Sequence, residues 1–285
     1  MKTRCYSILL IAFIFLQSEN NFCFAVSHQI NSQSSTDENA LRLFEERGDK
    51  NKLVQCITLL DSLLAKNEDA GNLVLASRAY HVLADYEDEI EKKLYSYDKG
   101  FNYGERALKL IPSFSTAMKD KKKEEESIKL LTIENISPLF WSAANLARWA
   151  KYASFINKIK VKSKVRALWD RVLELNPNYF YGGVYRFFGG YYALVPTITG
   201  EQDPAKSKEM FEKAIQAGPE YLDSKILYAE IYCTHAKIKD KALFEKLLNE
   251  VLNADISTHP EIFPENTLAK AKAKKLLEQE KELFE

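Results

Sequence analysis

The chain has 285 residues, of which 46% are hydrophobic and 28% are charged. Its 40 lysines and arginines balance 40 aspartates and glutamates, so it lacks the excess positive charge with which a nucleic-acid-binding protein displaces counterions from phosphates. Glycine and proline number only 10 and 8. This composition predicts an all-α soluble protein with a substantial core, and it excludes the binding of nucleic acid.

Residues 1–25 have the pattern of a secretory signal peptide. Lys2 and Arg4 precede an apolar run that ends at Leu16, and a polar stretch then leads to Ala25. The apolar run is shorter than the roughly 20 residues that a membrane-spanning helix needs. We therefore predict cleavage after Ala25 and a mature protein in an extracytoplasmic compartment.

Cys23 offers an alternative, because a lipid attached to this cysteine would tether the mature protein to a membrane. The three residues before it, Asn-Asn-Phe, do not resemble a lipoprotein cleavage box, which has a branched aliphatic residue followed by small ones. Cleavage after Ala25 is favoured, and lipidation stays open. No later stretch is apolar enough to cross a bilayer, so a lipid on Cys23 is the single membrane attachment that the sequence leaves open.

The remainder of the chain divides into a short leader and a long helical region. Residues 26–36 are polar and aperiodic, which is typical of a flexible leader. From Asp37 onward apolar residues recur with helical period. We predict a single all-helical domain over residues 37–285, with a front half over 37–132 and a rear half over 138–285.

Three internal segments, GERALKLIP, LWDRVLELNP and MFEKAIQAGP, end in the same way and indicate degenerate repeats. Counting back from Pro177 at tetratricopeptide spacing places Trp149 and Ile156 on the first helix of a repeat and Trp169 and Val172 on the second. Repeats of this kind stack antiparallel helix pairs into a curved array. The predicted fold is therefore all-α, with tetratricopeptide-like stacked antiparallel helix pairs forming a curved helical array.

The segment NPNYFYGGVYRFFGGYYALVP combines aromatic residues with paired glycines. At about 100° per residue, one arc of a helix over 178–194 collects its small residues and a single arginine: Gly182, Gly183, Arg186, Gly189, Gly190 and Ala193. The aromatic residues occupy the opposite side. We predict one continuous helix with a smooth face and an aromatic face.

Two interpretations of the smooth face stay open. In the first, the glycines let another helix approach, and Arg186 pairs with a neighbouring carboxylate. In the second, Gly182 and Gly189 form the floor of a ligand pocket in which Arg186 binds the carboxylate of an acidic, partly apolar ligand.

The segment PLFWSAANLARWAKYASF raises the same question. Trp141, Asn145 and Trp149 are spaced at i, i+4 and i+8 and therefore form one stripe. Two indoles beside one amide would suit a ligand groove with Asn145 as its polar contact. They would equally suit a core in which Asn145 bonds to a nearby backbone carbonyl.

Catalytic motifs do not accompany these segments. The four histidines have no partner at metal-ligand spacing, and neither a phosphate-binding loop nor a nucleophile motif is present in the sequence. We therefore predict a protein that is not an enzyme and that needs no metal or cofactor.

The rear half resembles the T-component of tetratricopeptide-repeat-associated TRAP transporters. The resemblance rests on W-x3-N-L-x2-W in LFWSAANLARWAK, on G-G-x2-R-x2-G in YGGVYRFFGGYY, and on the KSKEMFEKAI helix. It runs from about Phe140 to Leu277 and is weaker upstream. The loop PTITGEQD departs from the expected double glycine.

The resemblance implies a periplasmic, often lipid-anchored helical protein that forms a trimer. It implies a partnership with a periplasmic solute-binding protein whose ligand is apolar and acidic. It also places Trp141, Asn145, Trp149 and Arg186 at a pocket or channel. A generic tetratricopeptide scaffold that docks a peptide or helix of another cell-envelope protein is the alternative.

Overall fold

The computed structural model describes residues 36–120 and 122–285. The predicted signal peptide, nearly all of the predicted leader and Cys23 lie outside these residues. Within them every regular element is helical, with fourteen α-helices, short 3-10 turns and one π-helical stretch at Tyr228–Cys233. The all-α prediction is confirmed. The stacking of the helices in a tetratricopeptide-like array stays a prediction.

The front of the molecule begins with three helices that start at an aspartate cap. Asp37, Asp49 and Asp69 each accept a hydrogen bond from a backbone N–H of the first turn that follows, which satisfies a donor that the helix leaves unpaired. The front helices are α1 (Glu38–Glu45), α2 (Lys50–Leu64), α3 (Ala70–Asp85), α4 (Ile90–Lys109), α5 (Pro112–Lys119) and α6 (Glu124–Ile128). Their apolar stripes form a core of their own.

The middle of the chain forms α7 (Ile136–Tyr152), α8 (Phe155–Leu175) and α9 (Tyr179–Leu194). Helix α7 packs against α3 and α4 on one side and against α8 on the other. Its buried aromatic residues belong to a second core, which also contains residues of α8 and α9. Helix α7 therefore connects the front helices to the other middle helices.

The rear helices are α10 (Pro204–Ala217), α11 (Asp223–Leu227), α12 (Lys241–Asn253), α13 (Phe263–Glu278) and α14 (Glu280–Phe284). Asp203 and Asp240 cap α10 and α12 as the three aspartates cap the front helices. A third core contains Phe211 and Phe244, both fully buried. Helix α9 packs closely along α10.

The predicted repeat register fits the second helices and is wrong for one first helix. Trp169 and Val172 lie together on one helix, α8, as predicted, and both are buried. Helix α7, however, ends at Tyr152, and Ser154 caps a new helix by accepting a hydrogen bond from the Asn157 N–H. Ile156 consequently lies in the first turn of α8, where it is 66% exposed. The chain leaves helical geometry at Ala153 and Ser154, so α7 ends before the predicted position is reached.

Candidate functional site

Helix α9 is broken near its start, so the prediction of one continuous helix over 178–194 is wrong there. Phe180, Tyr181 and Gly182 have φ of 47°, 55° and 67° and form a left-handed turn. Regular right-handed geometry continues from Gly183 onward. Left-handed backbone costs an ordinary residue roughly 1–2 kcal/mol, so two aromatic residues hold this conformation at a cost.

Arg186 holds the left-handed turn in place. Its guanidinium donates hydrogen bonds to the backbone carbonyls of Tyr181 and Phe180, the latter at 2.9 Å, and to Ser224 Oγ at 3.4 Å. The guanidinium carbon also lies 4.4 Å from the centre of the Tyr221 ring. Arg186 is 7% exposed, so within the described residues its partners are backbone, hydroxyl and ring, with no carboxylate hydrogen-bonded to it. Whether Arg186 contacts a ligand stays a prediction.

The pocket interpretation requires the smooth face of α9 to be open. In the structure this face is closed. A Cβ added to Gly189 would lie 2.7 Å from the Phe211 ring of α10, and one added to Gly182 would lie 2.7 Å from Ala217 Cβ. Ser207 of α10 donates a 2.7 Å hydrogen bond to the Gly189 carbonyl. The structure therefore favours the packing interpretation for this face, because α10 occupies the space that the absent side chains leave.

The predicted groove along α7 is closed at its centre. Asn145 is fully buried, and its amide nitrogen donates to the carbonyls of Ser77 and Trp141 at 3.0 and 2.9 Å. Its amide oxygen lies 3.1 Å from His81 Nδ1. These bonds satisfy the amide, as burial requires. Trp149 is half-buried at the end of α7, so the two indoles do not share one open surface beside Asn145.

Trp141 lies at a junction where the front, middle and rear helices bring aromatic rings around one arginine. The guanidinium carbon of Arg78 is 4.8 Å from the centre of the Phe44 ring, 5.3 Å from Trp141 and 5.4 Å from Phe180. Phe180 in turn lies 5.4 Å from Tyr221. We call these five residues the arginine–aromatic cluster. The left-handed turn contributes Phe180, 4.8 Å from Trp141, and so helps to build the cluster.

One side of the cluster carries a buried ion pair. Arg47 and Glu265 make two hydrogen bonds of 2.9 and 2.8 Å, with side chains 5% and 9% exposed. Such a fork-to-fork pair is the strongest that a guanidinium makes with a carboxylate. It connects the end of α1 to α13 and fixes one border of the cluster.

A second set of ion pairs includes Asp223, two residues after Tyr221 of the cluster. Arg148 pairs with Asp223 at 2.8 Å, and Glu230 pairs with Lys151 and Lys272 at 3.0 and 2.9 Å. Burial would raise the pKa of Glu230, but Lys272 and Lys151 outweigh burial and hold that pKa well below 4.5. These carboxylates therefore stay ionised and neutralise their basic partners.

Solvent reaches the junction although protein surrounds it on most sides. The side chains of Arg78, Arg148 and Asp223 keep 26%, 17% and 23% of their surface exposed. Desolvation by burial, to which Arg47 adds, nevertheless lowers the pKa of Arg78 from its ordinary value. The junction thus combines aromatic rings with one partly exposed guanidinium.

Arg78 and Tyr221 were missed by sequence reasoning. Arg78 is the only charged residue of α3 before Asp85, in a helix whose other residues are mostly buried. A single cation on an apolar helix was therefore the available signal. Tyr221 precedes α11 in a loop and gives no comparable signal.

Neither a metal centre nor a membrane helix accompanies the junction. Among the residues that the structure describes, no three His, Cys, Asp or Glu side chains come close enough together to hold a metal ion. In the same part of the chain, no helix has both the length and the hydrophobicity that crossing a bilayer demands.

The family of this chain follows from comparison with known families. The chain matches the TRAP transporter T-component family over residues 52–284. It belongs to that family. T-component membership gives the chain an accessory role in a TRAP transporter and implies association with the other components. The match covers all the helices that meet at the junction except α1 and the first residues of α2. No curated protein matches the chain.

Proposed function

We propose that this T-component is a periplasmic, tetratricopeptide-like binding protein that works with the solute-binding protein of its TRAP system. In this role it holds or passes a small apolar acid without changing it chemically. The observation that carries the proposal is the match to the T-component family over nearly the whole helical region.

The junction between the front and rear helices supports the ligand part of the proposal. Of the predicted site residues, only Trp141 belongs to the arginine–aromatic cluster itself. Arg186 and Gly182 belong to the turn that positions Phe180 there. Asn145, Trp149 and Gly189 lie behind the cluster in packed surroundings, so we assign them supporting positions rather than ligand contacts.

Affinity capture from the native cell envelope tests the partnership. The protein is tagged, crosslinked in intact cells and purified, and the solute-binding subunit of its own TRAP system is the expected partner. Recovery of that subunit in stoichiometric amount supports the proposal. Recovery of an unrelated envelope protein in its place would favour the scaffold alternative, in which a groove docks a peptide or helix.

Native mass spectrometry of the gently purified protein tests the remaining parts. The proposal expects a trimer and a bound molecule of small mass on each protomer. The mass of the protomer also reports whether cleavage follows Ala25 or a lipid remains on Cys23. A monomer without bound molecules, from cells in which the transporter is active, would contradict the ligand-holding role.

A further inference from the structure

Arg78 differs from every other arginine near the junction in its hydrogen bonds. Arg47, Arg148 and Arg186 each make hydrogen bonds of 2.9 Å or shorter to a carboxylate or carbonyl. Arg78 Nε is buried and has no hydrogen-bond partner among the described residues. A buried donor left unsatisfied costs about 1–3 kcal/mol, and more when it is charged.

Glu265 is the nearest acid, but its charge is already committed. Its Oε1 lies 3.8 Å from Arg78 Nη2, beyond hydrogen-bond distance. Both oxygens of Glu265 accept shorter bonds from Arg47. The three side chains together therefore carry one positive charge that no carboxylate of the trio neutralises.

Rings cover the guanidinium from several directions and leave its remaining surface to solvent. Phe44, Trp141 and Phe180 each lie within 5.4 Å of the Arg78 guanidinium carbon. Stacking on aromatic faces suits the weakly hydrated guanidinium and leaves its N–H groups free to bond in its own plane. The side chain keeps 26% of its surface exposed. Phe44 and Trp141 are buried, at 2% and 5% exposed, whereas Phe180 is half-buried. A ligand would thus meet the Phe180 ring beside a cation whose acid partner, Glu265, also pairs with Arg47.

From this arrangement we infer that Arg78 binds the carboxylate of a monocarboxylic acid whose apolar part lies against the half-buried ring of Phe180. One excess positive charge calls for one negative charge, and the planar fork of a guanidinium matches a carboxylate in bidentate fashion. The aromatic surroundings select an apolar remainder. This inference rests on the proposed function and names the residue that recognises the acid.

The test compares an acid with its neutral analogue. Binding of 4-phenylbutyrate and of 4-phenylbutyramide to the purified protein is measured by calorimetry and by intrinsic tryptophan fluorescence. The acid is expected to bind at least about tenfold more tightly than the amide, because only the acid forms a charge-assisted bidentate pair. In Arg78→Met this preference disappears while weak binding of both compounds remains.

A matched control separates recognition from loss of charge in general. Arg106 also lies over a ring, 4.9 Å from Tyr103, but it pairs with Glu68 at 2.7 Å. Arg106→Met is therefore expected to keep the preference for the acid. If Arg78→Met does not fold, Arg78→Lys serves in its place. It keeps the charge without the fork, so a weakened preference is expected.

Three outcomes would overturn the inference: equal binding of acid and amide by the unaltered protein, no binding of either, or a preference that survives in Arg78→Met. None of these outcomes tests the proposed partnership, which is tested separately by capture of the solute-binding subunit. Failure of that capture while the acid still binds through Arg78 would overturn the partnership and leave the inference standing.

Discussion

Helix α9 contains two regions that use glycine for different purposes. Its start is a left-handed turn, in which Gly182 and two aromatic residues adopt positive φ and place Phe180 in the arginine–aromatic cluster. Its later part is regular, and there Gly189 allows the Phe211 ring of α10 to lie against the backbone. The first region borders a junction that solvent reaches, and the second is closed by packing.

The difference shows that a glycine-rich helix is not by itself a ligand surface. The closed region is stabilised by close contact between helices, which tolerates no added atom. The turn is stabilised by one arginine that donates hydrogen bonds to two backbone carbonyls. Strained backbone persists where surrounding groups over-determine it, and it concentrates at functional sites. The contrast therefore directs attention to the turn.

The largest expected effect comes from removing the guanidinium that holds the turn. Arg186→Met should lower the free energy of unfolding by about 3 kcal/mol, because two buried carbonyls lose charged donors. Chemical denaturation measures the change. Arg166, which lies over Phe188 and is 37% exposed, provides the control, and Arg166→Met should cost less than about 1 kcal/mol.

Equal stabilities of the two variants would mean that the turn does not depend on Arg186. If Arg186→Met instead kept its stability and lost the binding of 4-phenylbutyrate, the prediction that Arg186 contacts the ligand would be favoured. The turn would then keep its conformation without Arg186, and the comparison of the two regions would need revision.

A smaller effect is expected on the packed region. Gly189→Ala should cost about 2 kcal/mol, since the new methyl group would overlap the Phe211 ring and force a shift in a fully packed core. Gly190→Ala is the matched control, because its Cβ would meet only Ile231 Cδ1 at 3.4 Å. There the better helix propensity of alanine should stabilise the protein by up to about 1 kcal/mol.

Thermal unfolding of the two alanine variants gives the answer directly. Similar melting temperatures for Gly189→Ala and Gly190→Ala would show that the α9–α10 contact yields easily. The smooth face would then again be a candidate for a surface that opens.

The smallest expected effect concerns the dependence of stability on pH near the arginine–aromatic cluster. Burial lowers the pKa of His81 below 6.5, against the opposing influence of Asp85, with Arg148 adding to the fall. The unfolded chain thus binds the proton more readily than the folded one. This contribution to stability is complete above pH 6.5 and is lost as pH falls through the folded-state pKa.

Denaturation at about pH 7.5 and about pH 5.5 measures this dependence. The unaltered protein should lose stability on acidification, and His81→Asn should lose less, since an amide replaces the imidazole as donor to Asn145 and does not titrate. An equal loss in both proteins would show that protonation of His81 does not destabilise the folded protein. The surroundings of His81 would then be less enclosed than their contacts indicate.

The extent of successful prediction follows the range of each interaction along the chain. The start of helical structure at Asp37 and the position of Trp169 on a second helix were predicted correctly, because caps and apolar periodicity depend on neighbours within four residues. The interruption after Tyr152 was missed, because the count from Pro177 outweighed the local capping signal at Ser154.

The junction was the part that sequence could not reach. Positive φ at Phe180 and Tyr181 contradicts local preference, and it depends on Arg186 together with packing against Tyr221, a loop residue far along the chain. Likewise, Arg78 is one cation on an apolar helix until Phe44, Trp141 and Phe180 are brought around it.

The amino-acid sequence by itself determined that the protein is helical, that its helical region begins at Asp37, and that it belongs with the TRAP transporter T-components. Only the tertiary structure decided that the glycine face is closed and that Arg78, rather than Arg186, keeps a donor without a partner. The reason is that helix formation is satisfied within the chain's own next turn. Whether a buried charge is satisfied depends on groups that only folding brings together.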